Sequence, residues 1–95
     1  MHLSDEVLAK YKSRRKNDLE ICRQALQTRD YAPIGQVGHN MKGNGVTFGF
    51  PELSKLGEEL EFCVEHNDVV GIQKAVESLA EWVLKMVPSP SSTSQ

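Results

Sequence analysis

Four times along this chain apolar side chains recur at steps of three and four residues, and each run closes at a proline or a short polar turn. That spacing follows the 3.6-residue period of an α-helix and not the two-residue alternation of a strand. The segment from Asp5 to Thr28 holds no glycine or proline and carries Leu8, Tyr11, Leu19, Cys22 and Leu26 on one face, with Ser4 placed to cap it. Its middle, Lys12-Ser13-Arg14-Arg15-Lys16, is polar and interrupts the stripe for about one turn. Asp30-Tyr31-Ala32-Pro33 then breaks the pattern, because proline is accepted in the first turn of a helix and not in its interior.

The second run, Ile34, Val37, Met41, Gly45 and Phe48, makes a narrow seam that Gly49 is expected to end, and Pro51 opens the third helix. Leu53, Leu56, Leu60 and Cys63 repeat the seam, broadened by Val64, up to His66-Asn67-Asp68, where Asp68 is the expected cap of a fourth helix. That helix carries Val69, Ile72, Val76, Leu79, Val83 and Met86 and stops before Pro88. Four amphipathic helices with short connections predict an all-α fold, an antiparallel up-down four-helix bundle over residues 1–87. Residues 88–95, rich in serine and proline, are expected to be a disordered tail or linker.

Composition excludes several classes. The 95 residues make one domain, and a formal net charge of -2 favours neither nucleic acid nor membrane in bulk. Cys22 and Cys63 lie inside helical seams, which reads as reduced core thiols. The residues after Met1 lack the cationic and apolar stretches of a secretory signal, and no run is long enough to span a bilayer, so the expected location is cytoplasmic. No metal site is expected, because His2, His39 and His66 share no ligand spacing. No GxxxxGK[ST] loop is present, so the chain is expected not to bind ATP or to act as a kinase.

The chemistry gathers on the second helix. His39 lies about 160° around that helix from its apolar seam and so points away from the core. Lys42 and Gly43 follow at three and four residues, which puts an ammonium group and a bare backbone beside the imidazole. Glycine inside a helix costs about 1 kcal/mol against alanine, and Gly38, Gly43 and Gly45 all fall in this helix. Gly45 is assigned to packing, since it falls on the seam, and Gly43 to access by a partner.

The stretch His39-Asn40-Met41-Lys42-Gly43-Asn44-Gly45-Val46-Thr47-Phe48-Gly49-Phe50, followed by Leu53 and Leu56, resembles the signature of histidine phosphotransfer domains. Thr47-Phe48-Gly49-Phe50 is most similar to the variant in the phosphoacceptor domain of chemotaxis histidine kinases, while Asn44 departs from the small residue more usual in free-standing members. The resemblance implies that His39 accepts a phosphoryl group, that Lys42 steadies it, and that Glu61 orients the imidazole through the nitrogen that is not phosphorylated. It implies that the chain exchanges the group with an aspartate of a response-regulator receiver domain, supplied by an upstream histidine kinase, with Mg²⁺ on the receiver and no cofactor on this chain; a monomer is the default expectation. Docking is expected around His39, at Gln36, Asn40, Gly43, Thr47, Ser54 and Gly57. The basic cluster Lys10, Lys12, Arg14, Arg15 and Lys16 is either a solvated helix face or a steering patch for an acidic receiver. The alternative from a different class is a helical interaction module in which His39 is incidental.

Overall fold

Ser4 accepts a hydrogen bond from the Val7 N–H at 3.1 Å and starts α1, Asp5–Thr28, in the computed structural model, which describes residues 3–87. The Ser/Pro segment 88–95 lies outside the described residues. α1 ends where Arg29 takes a left-handed conformation, φ 59°, and returns its N–H to the Ala25 carbonyl. α2 runs Ala32–Asn44 with Pro33 in its first turn, α3 runs Pro51–Glu65, and α4 runs Val69–Met86. Asp68 caps α4 as expected, its carboxylate accepting from the Gly71 N–H at 3.0 Å.

The second helix stops earlier than its seam predicts. It ends at Asn44, and residues 45–49 form a run of turns in which Gly49 is left-handed, φ 88°. Two causes act together. Gly43 and Gly45 hold the helical state weakly. Val46 gives its N–H to Ser54 Oγ at 2.8 Å, so that group no longer serves the helix ladder. The Phe50 N–H then folds back to the Gly45 carbonyl at 2.8 Å and delivers the chain to Pro51.

Each helix packs on the next, and α1 also packs on α4, while among the described residues the pairs α1–α3 and α2–α4 make no close backbone approach. The result is a four-sided ring around one core, in which Cys22, Ile34, Met41, Leu53, Leu60, Ile72 and Leu79 are fully buried. The predicted seams of α2 and α3 are buried as far as Met41 and Leu60. At the ends the seams loosen: Val69 is exposed and Met86, Leu8 and Leu26 are only half-buried. No described helix is long and apolar enough to cross a membrane.

The polar middle of α1 is not uniformly solvated, which corrects the reading of Arg15 as part of a basic surface. Arg15 is 6% exposed, pairs through Nε with Asp18 at 2.7 Å, and lays its guanidinium 4.4 Å from the Tyr11 ring centroid. The Tyr11 ring in turn stacks on Phe48 at 4.2 Å, and Phe50 meets Trp82 edge-on at 5.2 Å. This aromatic end ties the 45–50 connection to α1 and α4. Both cysteines are free thiols; Cys22 is buried, whereas Cys63 sits at the margin of the core.

Candidate functional site

Gly38 and Gly57 determine how α2 and α3 meet. A Cβ on Gly38 would lie 2.7 Å from the Gly57 carbonyl oxygen, and a Cβ on Gly57 would lie 2.8 Å from Met41 Cβ. Both positions must therefore be bare for the helices to touch backbone to backbone. That close crossing puts one helix turn of α2, carrying His39 and Lys42, directly beside Glu61 of α3.

His39 stands on open surface, its side chain 63% exposed, and its Nδ1 lies 3.0 Å from Glu61 Oε2. The other oxygen of the same carboxylate, Oε1, lies 3.0 Å from Lys42 Nζ. Glu61 therefore bridges the imidazole and the ammonium. An ionised carboxylate only accepts hydrogen bonds, so Nδ1 carries the proton in this contact and a neutral ring keeps its lone pair on Nε2.

The electrostatics agree with an ionised bridge. The Lys42 ammonium first, and His39 second, hold the Glu61 carboxyl below the usual carboxylate range against a smaller opposing effect of desolvation. Glu61 in turn pushes the Lys42 ammonium up, with Glu58 and Glu65 adding smaller attractions. Lys42 is thus a firmly charged group on an exposed four-carbon stem, able to leave Oε1 for another anion.

Gly43 faces open space, since a Cβ there would meet nothing within 4 Å. Its missing side chain serves no internal contact. Gly45 does the reverse: a Cβ would lie 2.8 Å from the Phe50 carbonyl oxygen, as its place on the seam implies.

The expected docking residues divide. Gln36, Asn40, Gly43 and Thr47 are exposed on α2 and the turn that follows, and Gln36 Nε2 donates to Asn40 Oδ1 at 3.1 Å. Gly57 is buried at the helix crossing and offers nothing to a partner, which corrects its assignment to docking. Ser54 is half-buried, and its hydroxyl accepts from Val46 and donates to the Met41 carbonyl at 3.5 Å, so it serves the end of α2. The basic residues of α1 other than Arg15 remain solvent-accessible to differing degrees, with Lys10, Arg14 and Lys16 exposed.

Two features of the site escaped the sequence reading. One is the reciprocal Gly38–Gly57 contact, whose only signal is a glycine at the edge of each of two successive seams. The other is Asn44, whose Oδ1 accepts from the Tyr11 hydroxyl at 2.7 Å across 33 residues of sequence. No periodicity signals a side-chain pair of that separation.

Comparison with known proteins adds one match: the family model for the Hpt domain fits residues 6–87. No curated protein and no solved structure matches the chain.

Proposed function

The chain belongs to the Hpt domain family, and from that premise we propose that it is a phosphorelay intermediate that accepts a phosphoryl group on His39 and exchanges it with an aspartate of a response-regulator receiver domain. The observation that carries this reading is the single Glu61 carboxylate held 3.0 Å from both His39 Nδ1 and Lys42 Nζ. It engages Nδ1 and leaves Nε2 as the ring's other nitrogen, on a side chain that is 63% exposed.

The transfer is written as an in-line displacement. The Nε2 lone pair attacks phosphorus, an N–P bond forms, the bond from phosphorus to the aspartyl oxygen breaks, and the aspartate leaves as a carboxylate. The ring becomes a phosphorylated imidazolium with its proton on Nδ1, and Glu61 stabilises the positive charge that develops there. Lys42 moves from Glu61 Oε1 to the phosphoryl oxygens and offsets their charge. Every step reverses, so the same histidine donates as well as accepts. Positioning and charge stabilisation carry most of such a transfer, and the Mg²⁺ that completes it belongs to the receiver. An upstream histidine kinase supplies the phosphoryl group, since this reading gives the chain no ATP site of its own.

In the same reading the helices follow an antiparallel up-down course, the chain acts as a monomer in the cytoplasm, and the receiver docks over Gln36, Asn40, Gly43 and Thr47. A second reading, the phosphoacceptor domain of a chemotaxis-type kinase, is favoured by Thr47-Phe48-Gly49-Phe50, where Gly49 makes the left-handed turn between two rings packed toward Tyr11. Either way the acceptor is the same. A receiver domain charged with radiolabelled acetyl phosphate should label the wild-type chain and leave His39→Gln unlabelled. Undiminished labelling of the variant would remove His39 from the reaction and place the phosphoryl group on another residue, whereas a wild-type chain that takes no label would favour a helical interaction module.

A further inference from the structure

We infer that Tyr11 and Asn44 form a pin that positions Lys42, so that a buried tyrosine of α1 sets the rate of a transfer carried out on α2 and α3. The inference rests on the phosphotransfer reading above.

Lys42 stands in the last turn of α2, two residues before the helix ends at Asn44. That turn has little means of holding itself. Gly43 and Gly45 flank Asn44, glycine favours the helical state less than any residue but proline, and Val46 gives its N–H to Ser54 Oγ instead of to the helix ladder. Ser54 holds the end of α2 to α3 from one side. The Tyr11–Asn44 hydrogen bond, 2.7 Å, holds it to α1 from the other.

The pin is rigid at its α1 end. Tyr11 is 4% exposed, and its ring is in contact with both the Arg15 guanidinium at 4.4 Å and the Phe48 ring at 4.2 Å. With the ring fixed in this way, the hydroxyl donates to Asn44 Oδ1 from a side chain that cannot follow the helix end if it moves. Without that bond the last turn of α2 frays more freely. Lys42 then samples a wider arc, while His39, one turn earlier in the helix and braced by Glu61 and the glycine crossing, keeps its place. Tyr11 and Asn44 touch neither the imidazole nor the phosphoryl group, so they are positioning residues that act through Lys42.

The test is single-turnover transfer from a purified receiver domain, charged with radiolabelled acetyl phosphate, at several receiver concentrations. Tyr11→Phe, which keeps the stacked ring, and Asn44→Ala should each lower the maximal rate roughly three- to tenfold, the range of one net hydrogen bond. The receiver concentration giving half-maximal rate should stay unchanged. The double variant should be no slower than either single one, and Asn44→Asp, which keeps an acceptor oxygen, should recover most of the rate. In a Lys42→Ala background neither substitution should slow transfer further. Wild-type rates in both variants would overturn the inference, and so would an equal loss in the Lys42→Ala background, which would mark a general loosening of the bundle. If the wild-type chain itself takes no label, the phosphotransfer reading falls and the pin falls with it; if it labels normally and the variants do too, only the pin falls.

Discussion

Glu61 shows how much one side chain does at this surface. Its two oxygens are shared between an imidazole and an ammonium, so its charge fixes a tautomer on one side and restrains a mobile cation on the other. The same contacts link the site to stability. Lys42 chiefly, and His39 second, depress the Glu61 carboxyl from its ordinary value of 4.5 in the folded chain. A group whose folded value lies below its unfolded one binds its proton more readily when the chain unfolds. Its contribution to stability is therefore full above the ordinary carboxylate range and is lost as pH falls through the depressed value. Thermal unfolding of wild type and Glu61→Gln, followed by circular dichroism from pH 7 downward, should show the variant less stable at neutral pH and the two curves converging in acid. A gap that widens on acidification would mean that the carboxylate is not held as its geometry indicates.

At the level of the helices, three glycines of two adjacent elements carry opposite consequences. Gly38 and Gly57 are the contact surface of α2 and α3, where an added methyl group would press on backbone that cannot yield. Gly38→Ala and Gly57→Ala should each lower stability by about 1–3 kcal/mol, the usual cost of overpacking a close contact. Gly43 has empty space where a Cβ would stand, and it lies inside a helix. Gly43→Ala should raise stability by about 1 kcal/mol, the difference in helix propensity, and in the proposed reaction it should slow labelling by the receiver, because the methyl group stands on the docking face. Chemical denaturation curves of the three variants check the signs directly. A destabilised Gly43→Ala would place that residue in packing and leave the docking assignment without its main support.

The whole molecule was legible where one physical rule dominates. Apolar period places the four helices and most of the buried seams, because burial along a face leaves its mark every three or four residues. Proline and a capping aspartate mark where α3 and α4 begin. What period does not carry is the partner of a polar side chain. Ser54 shortens α2 and Asn44 reaches α1, and each depends on a neighbour distant in sequence or on a turn that only the assembled fold creates; Arg15 pairs with Asp18 and Tyr11 of its own helix, but its burial is decided by how that helix packs. His39 and Lys42 were readable because they share one helix surface, whereas Glu61 entered only through the family resemblance. The two cysteines test whether the ring of helices opens as one unit. Cys22 is completely buried, and burial, with the Asp18 charge adding to it, pushes its thiol up to about 12. Only a thiolate reacts quickly with an alkylating reagent, so Cys22 is protected twice, by access and by charge. Cys63 lies at the edge of the core, half-buried between α3 and α4, with its thiol raised chiefly by desolvation. In a native-state alkylation series followed by mass spectrometry, Cys63 should label first, through local opening, and Cys22 only at the rate of global unfolding. Adding denaturant should speed Cys22 with the full unfolding slope and Cys63 with a shallower one. Equal slopes at both thiols would mean that α3 and α4 separate only when the entire bundle comes apart.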